Sequence, residues 1–478
     1  MPVSAIAHHS VDERRAAGRA ARKRTPPTSH SGWAPAVNRP DPVALLAAQN
    51  LTREQDLVPV RHGRMMVSPF TFYRGAAKIM AAGLAATPTA GLNVQLCGDA
   101  HLSNFGVFAS PERTLLFDLN DFDETLPGPF EYDVKRMAAS FTIAARNNGF
   151  AKADSDAATR TSVSAYREAM AEFAQMRNLD IWYARLSEQE IMGAIRAASE
   201  GVTKKKDAKQ VKKAQKLAKK NALKAHTRDS LQALSKLGEV VDGRYRIVSQ
   251  PPIVVPARDF ESMYGMSAEQ LMDAVHGQLR AYRATLQFDR RHLLERFELV
   301  DMARKVVGVG SVGTRAFIAL LLGRDDGDPL FLQVKEATAS VLEDYLSSSQ
   351  FKNPGERVVQ GQRTMQAASD IFLGWTKGVE ANRYLYWRQL RDMKGSAVVE
   401  TMAPGTLKLY AGFCGWTLAR AHARSGDAIV LAQYLGKTDD FDQAITDFST
   451  RYADQNDLDY QAFGEAIASG RLEAVYGL

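Results

Sequence analysis

Cysteine is scarce in this sequence, and long apolar runs are missing. Its 478 residues include only Cys97 and Cys414, so a disulfide framework is excluded and a reducing compartment is expected. No uninterrupted apolar run approaches the about 18 residues of a membrane span. The arginine-rich N-terminal stretch is not followed by the apolar segment of a secretion signal. Cys and His residues at zinc-ligand spacing are also missing. We therefore expect a cytoplasmic protein without a membrane partner.

The positive charge of the chain is confined to one segment. The formal net charge is +7, and residues 204–224 alone contribute +9, from ten lysines and one aspartate. The rest of the chain is therefore slightly acidic. We interpret residues 203–226 as a solvated, Lys-rich helical excursion. This segment has no Phe, Tyr or Trp to stack on bases, which argues against a nucleic-acid partner.

The segment GDAHLSN at residues 98–104 is the strongest local signal. It places Asp99 and Asn104 five residues apart, after an apolar strand predicted at residues 94–97. This is the spacing of a kinase catalytic loop, in which the carboxylate accepts the proton of the attacking hydroxyl and the amide oxygen binds Mg²⁺. Asp99 is thus a candidate base and Asn104 a candidate metal ligand. The alternative is a turn in which both side chains satisfy backbone donors.

Three aspartates lie at the end of the next predicted strand, which covers residues 113–118, or just after it. Asp118, Asp121 and Asp123 crowd one short segment, and clustered carboxylates repel one another without a cation. Asp121 stands where kinases carry the Mg²⁺-binding Asp of the Asp-Phe-Gly motif, and Asp123 is a candidate second ligand. The same cluster also suits Ca²⁺ or a hydrolytic metal pair. By itself it predicts a divalent-cation site and no particular reaction.

A glycine-rich pattern, GVGSVG, occupies residues 308–313. In a dinucleotide-binding fold such a loop opens a helix, and an acidic residue follows about 20 positions later. Here strands follow, and Lys335 stands where the acid is expected. This context favours a kinase-type loop, in which Gly308, Gly310 and Gly313 let backbone N–H groups cover phosphates that the lysine neutralises. The alternative is a glycine-containing hairpin with an exposed lysine.

A kinase-type lysine is normally paired with a glutamate on a helix. Glu343 and Glu356 are the candidates in this part of the sequence. We favour Glu356, because it begins a helix predicted from Glu356 to Ala368, whereas Glu343 belongs to a preceding turn.

Several motifs together carry a family resemblance. They are FYRG at 72–75, GDAHLSNFG at 98–106, NDFDE at 120–124, GQR at 361–363 and LARAHAR at 418–424. The chain from Arg39 onward resembles a bacterial family known as domain of unknown function 2252. The resemblance implies a relationship to kinase-like folds such as aminoglycoside and choline phosphotransferases, and it implies no substrate.

The order of the motifs is the reverse of that in ordinary kinases, since the glycine-rich loop and Lys335 come after Asp99 and Asp121. A circular permutation explains this order. We therefore predict an α+β, bilobal, protein-kinase-like fold, circularly permuted, with a small antiparallel-sheet nucleotide lobe and a larger, mainly helical lobe. The predicted parts are a disordered basic tail at 1–40, a catalytic helical lobe at 41–298, a nucleotide lobe at 299–400 and a returning helical segment at 401–478.

The leading functional hypothesis is phosphoryl transfer from ATP, with Mg²⁺ as cofactor, to a hydroxyl or amine of an unknown acceptor. Three alternatives stay open. They are a nucleotidyl (AMP) transferase on the same fold, a non-catalytic nucleotide-binding regulator, and a metal phosphohydrolase that needs no ATP.

Overall fold

Helices and antiparallel strands make up the fold, which a computed structural model describes for residues 8–200, 215–216, 219–220, 222–260, 265, 267–380, 382–390 and 392–478. The α-helices are α1 Val11–Arg24, α2 Pro42–Asn50, α3 Val58–Met65, α4 Pro69–Gly75, α5 Ala77–Ala85, α6 Phe130–Asn147, α7 Lys152–Phe173, α8 Asn178–Tyr183, α9 Glu188–Glu200, α10 Ser230–Leu237, α11 Ala268–Arg283, α12 Phe288–Leu294, α13 Pro354–Met365, α14 Pro404–Ala423, α15 Ala428–Leu435 and α16 Asp440–Ala468. The strands are β1 Asn93–Leu96, β2 Phe105–Ala109, β3 Leu115–Leu119, β4 Leu126–Pro129, β5 Gly238–Val241, β6 Arg244–Ile247, β7 Val254–Pro256, β8 Glu298–Lys305, β9 Ala316–Leu322, β10 Pro329–Glu336, β11 Gly374–Lys377, β12 Tyr384–Gln389 and β13 Gly395–Ser396. The prediction of a mixed α+β protein with antiparallel sheets is confirmed.

A six-stranded antiparallel sheet has the strand order β11-β12-β10-β9-β8-β7. Successive side chains of a strand point to opposite faces of a sheet. Leu332 of β10 accordingly packs in a core with Tyr282 of α11. Phe331, its neighbour, packs on the opposite face with Leu237 of α10. The same alternation directs Lys335, near the end of β10, to the Phe331 face.

Two small antiparallel pairings bring two polar loops together. β1 pairs with β4, so that Leu96 at the end of β1 lies opposite Leu126 at the start of β4. β2 pairs with β3, so that Phe105 at the start of β2 lies opposite Leu119 at the end of β3. The loop between β1 and β2 therefore runs beside the loop between β3 and β4.

Beneath these loops lies a helical core centred on α6. Its side chains from Phe130 to Ala145 are all buried, including the charged ones. The neighbouring helix α14 packs closely against α7 because Gly415 has no side chain. A Cβ atom at this position would lie 2.1 Å from the carbonyl oxygen of Ser162. This close packing carries the C-terminal end of α14 under the polar loops.

The predicted disorder of residues 1–40 is wrong for much of this segment, since α1 occupies Val11–Arg24. Ser10 and Glu13 form a reciprocal capping box at its start. Composition did not reveal this helix because it is strongly polar, with only two of its residues, Gly18 and Ala21, buried. This helix is anchored to the end of α15, far along the chain.

The predicted lobe boundary at 298/299 also differs from the packing. β7 belongs to the six-stranded sheet, and α10 and α11 pack on its two faces, so the sheet's layer begins well before residue 299. The Lys-rich excursion predicted at 203–226 lies mostly outside the described residues. Within the described ranges, every helix is too short or too polar to cross a membrane.

Arg22 anchors α1 to the end of α15, and its loss should weaken the fold. Its guanidinium donates to the carbonyl oxygens of Tyr434 at 2.7 Å and Leu435 at 2.8 Å. Hydrogen bonds from a charged group contribute about 1.5–3 kcal/mol. We expect Arg22→Ala to lower the free energy of unfolding by that amount, measured by chemical denaturation.

Arg19→Ala is the matched control because Arg19 is exposed on the same helix, and it should change stability by less than about 0.5 kcal/mol. Equal losses in the two variants would contradict the anchoring role.

Candidate active site

One cavity collects most of the residues that the sequence indicated. Its volume is about 470 Å³, and it lies between the two polar loops, the end of β10 and the loop between β8 and β9. The predicted site residues that line it are Asp99, Asn104, Asp121, Asp123, Gly308 and Gly310. Residues from distant parts of the chain therefore face a common space.

Asp99 is held in place by a buried arginine of α6. Its Oδ1 accepts a hydrogen bond from Arg136 Nε at 2.8 Å. The guanidinium of Arg136 in turn stacks on the Tyr73 ring, 3.8 Å from the ring centroid. The other oxygen, Oδ2, lies 3.8 Å from His101 Nε2. Burial lowers the pKa of His101 to about 3, so this imidazole is neutral at neutral pH.

Asn104 ties the two polar loops to each other. Its Nδ2 donates to the carbonyl oxygen of Asp99 at 2.6 Å. Its own carbonyl oxygen accepts from the backbone N–H of Asn120, in the second loop, at 2.8 Å. The hydrogen bond to Asp99 uses the side-chain nitrogen of Asn104. Its side-chain oxygen, the atom that can bind a metal ion, is left for other contacts.

Lys335 joins the six-stranded sheet to the second loop. Its Nζ lies 2.5 Å from Asp123 Oδ2 and 3.8 Å from Asp121 Oδ1. Tyr386 of β12 donates from its hydroxyl to the remaining Asp123 oxygen at 2.6 Å. The side chain of Lys335 is only 3% exposed, so the ammonium is removed from water and depends on these carboxylates.

The charges in this group shift one another's pKa values. Burial alone would lower the pKa of Lys335, but the two carboxylates outweigh it and raise that pKa. Burial would raise the pKa of Asp123, yet the Lys335 ammonium lowers it overall. For Asp121, burial and the neighbouring Asp123 carboxylate raise the pKa despite Lys335. Negative charge on Asp121 is therefore incompletely neutralised.

The glycine-rich loop forms the opposite wall of the cavity. Gly308 and Gly313 have φ values of +67° and +86°, which favour glycine. Gly310 lies against the end of α4, where an added Cβ would be 3.0 Å from the carbonyl oxygen of Arg74. Gly313 does not line the cavity. It stands at the base of the loop, and its carbonyl oxygen accepts from the backbone N–H of Glu54 at 2.7 Å.

Two acidic residues stand apart from this arrangement. Asp118 is buried, pairs with Arg420 of α14, and accepts the backbone N–H of Ala367 at 2.8 Å. Its role is structural. Glu356 lies in the first turn of α13 and is not part of the cavity lining. Within the described ranges, Lys335 forms its ion pairs with Asp121 and Asp123 and not with Glu356.

Asp133 supports the first loop in a way that the sequence did not reveal. It lies in the first turn of α6, and its carboxylate accepts the backbone N–H groups of Cys97 at 2.6 Å and Gly98 at 2.9 Å. His422 Nε2 of α14 lies 3.2 Å from the same carboxylate. Gly98 has φ +84°, and a Cβ there would lie 2.1 Å from the Glu124 carbonyl oxygen. Asp133 thus fixes the turn that leads into Asp99.

The oxygen donors in the cavity suit Mg²⁺ only if phosphate and water supply its remaining ligands. No group of three His, Cys, Asp or Glu side chains among the described residues is arranged to hold a metal ion. Asp121, Asp123 and the Asn104 amide offer oxygen atoms only, the type that Mg²⁺ prefers, and proteins often bind this ion through one or two carboxylates plus phosphates and water. The raised pKa of Asp121 marks negative charge that a cation would neutralise. These three residues therefore fit Mg²⁺ when phosphate and water complete its coordination.

Fold and cavity together define an α+β protein in which the two polar loops face a glycine-rich loop across one cavity. The chain belongs to the family described as "Uncharacterized protein conserved in bacteria (DUF2252)", whose sequence profile matches residues 53–466. The family resemblance expected from the motifs is therefore confirmed. No curated protein and no solved structure matched the chain significantly.

Glu124, in the second loop, should make stability depend on pH. Burial raises its pKa to about 7, although the Val341 N–H donates to Oε2 at 2.7 Å. Between about pH 4.5 and 7 the native state keeps a proton that the unfolded chain has lost, so this group makes stability fall as pH rises. We expect Glu124→Gln to remove that contribution in denaturation series from pH 5 to 7. Parallel stability profiles for wild type and variant would contradict the assignment.

Proposed function

We propose that this protein is an ATP- and Mg²⁺-dependent phosphotransferase acting on a hydroxyl or amine. One observation carries the proposal: Lys335 pairs with Asp123 and Asp121, and these two carboxylates line the same cavity as the glycine-rich loop. Phosphoryl transfer requires mainly positioning and neutralisation of phosphate charge. A buried lysine, oxygen ligands for a cation and a glycine loop are the groups that such chemistry uses.

The proposal includes a kinase-like bilobal fold in permuted order. In kinases the glycine-rich loop joins the first two strands of the nucleotide lobe, and the lysine lies on the third. Here the loop joins β8 to β9 and Lys335 lies on β10, which supports the same assignment. Support for the permutation comes from the end of α14. Just beyond it, Ser425 Oγ accepts the backbone N–H of Gln95 in β1 at 2.9 Å, so the helix leads to the strand that enters the Asp99 loop.

In the proposed reaction, the acceptor oxygen or nitrogen forms a bond to the γ-phosphorus of ATP. The bond between that phosphorus and the bridging oxygen breaks, and its electron pair leaves with ADP. Asp99, which lines the cavity, takes the proton of the acceptor, and Arg136 holds its carboxylate through a hydrogen bond of 2.8 Å to Oδ1. Lys335 binds phosphate oxygens while still paired with the second loop.

Asn104, Asp121 and Asp123 would hold the magnesium ion. When bound, Mg²⁺ supplies positive charge to the phosphate oxygens during transfer. Burial and the neighbouring Asp123 carboxylate raise the pKa of Asp121, and a bound cation would oppose that shift. Asp123 also orients Lys335 through the 2.5 Å ion pair, so it serves both the cation and the lysine.

Thermal-shift titration with Mg-ATP tests this proposal. A ligand that binds only the native state stabilises it by about 2.7 kcal/mol at a hundredfold excess over its Kd. We expect a clear rise in the melting temperature of the wild type. Asp121→Asn and Lys335→Ala should each lose most of it, because the first weakens the cation site and the second removes the phosphate-binding charge.

Two exposed residues provide matched controls for these changes. Asp326 and Lys352 are exposed and outside the cavity lining. Asp326→Asn and Lys352→Ala should therefore keep the wild-type shift. The proposal fails if Mg-ATP stabilises Asp121→Asn and Lys335→Ala as much as the wild type. If Lys335→Ala does not fold, Asp121→Asn still tests the site, because it leaves Lys335 paired with Asp123.

A further inference from the structure

Three basic side chains line the cavity wall on the side of α2, α4 and α5. They are Arg53, which follows α2, Arg74 in α4 and Lys78 in α5. Gln49 and Thr52 line the same wall and add polar groups. This wall is part of neither the proposed metal site nor the Lys335 ion pair.

The three cations differ in what already neutralises them. Lys78 pairs with Asp344 at 2.9 Å. Arg53 donates from one guanidinium nitrogen to the carbonyl oxygen of Val312 at 2.5 Å. Arg74 makes no side-chain hydrogen bond and no ion pair with the residues that the structure describes. The Nε atoms of Arg53 and Arg74 are both buried without a hydrogen-bond partner in this part of the chain.

The acids of the cavity do not supply the missing partners, because most are already engaged. Asp99 pairs with Arg136, Asp123 with Lys335, and Glu336 with Arg383. Arg53 and Arg74 are partly buried, and a partly buried cation without an ion-pair partner carries a desolvation cost that an anion relieves when it binds. Arg53 and Arg74 therefore have unused binding capacity for negative charge.

Arg74 lies close enough to Asp99 for their charges to interact. Burial lowers the pKa of Arg74, while the carboxylates of Glu400 and Asp99 partly oppose this effect. Gly310 of the glycine-rich loop meets the backbone of Arg74 on the other side. Arg74 thus lies near both the candidate base and the glycine-rich loop, two parts of the cavity that the proposed reaction uses.

We infer that Arg74, assisted by Arg53, binds an oxyanion carried by the acceptor substrate, either a phosphate or a carboxylate. A guanidinium presents paired donors that match both groups. The assignment to the acceptor rests on the proposed function, since that function gives the nucleotide phosphates to Lys335 and the glycine-rich loop. The anion site itself rests only on the cavity and on two lining arginines that form no ion pair with the described residues.

Thermal-shift titrations of the full chain with inorganic phosphate and, separately, acetate test this inference. Both are run in saturating Mg-ADP, with sodium chloride keeping the ionic strength constant. We expect at least one of the two anions to raise the melting temperature beyond the Mg-ADP shift, and the responding anion identifies the group. Arg74→Gln should weaken the apparent affinity for that anion about tenfold or more, and Arg74→Lys should weaken it less. The Mg-ADP shift should persist in both variants.

Arg177→Gln is the matched control, because the Arg177 side chain is 85% exposed and lies outside the cavity. It should respond to the anion as the wild type does. The inference is overturned if neither anion stabilises the wild type, if Arg74→Gln responds like the wild type, or if Arg74→Gln loses the Mg-ADP shift and keeps the anion shift. An Arg74-dependent anion shift without any Mg-ADP shift would support the anion site and overturn the proposed function instead.

Discussion

The contact between Lys335 and the Asp121–Asp123 pair is the constraint on which the rest of the cavity depends. A lysine that is 3% exposed must have carboxylates beside it, and these carboxylates come from a loop more than 200 residues earlier in the chain. The pairing therefore fixes how the six-stranded sheet sits against the two polar loops. Tyr386, on the neighbouring strand, strengthens it by donating to Asp123. Arg388, on the same strand, adds a further contact by donating to the carbonyl oxygen of Asn120 at 3.0 Å.

Much of the fold was predictable because its strands carry strong local patterns. The run of seven apolar residues from Ala316 to Leu322 is typical of a strand and forms β9 with those bounds. The apolar segment at 371–373 is also typical of a strand, but β11 begins only at Gly374. Phe372 instead packs in the core beside the sheet. An apolar residue signals burial, and burial alone does not distinguish a strand from the turn before it.

The candidate site was predictable where residue type and spacing carry the information. Asp99 and Asn104 were identified by their separation on one loop, and they do line one cavity with Asp121. The supporting residues were not predictable in the same way. Asp133 accepts hydrogen bonds from backbone N–H groups of another segment, and Arg74 forms no ion pair with the described residues. Neither property is visible without the long-range contacts, which sequence spacing does not report.

The position of α14 has a consequence for how the protein is made. Its residues Arg420 and His422 contact Asp118 and Asp133, which lie under the two polar loops. During synthesis, the loops emerge from the ribosome long before this helix does. A nascent chain therefore carries the residues of the cavity without the helix that supports them, and the site is completed only after most of the polypeptide has been translated.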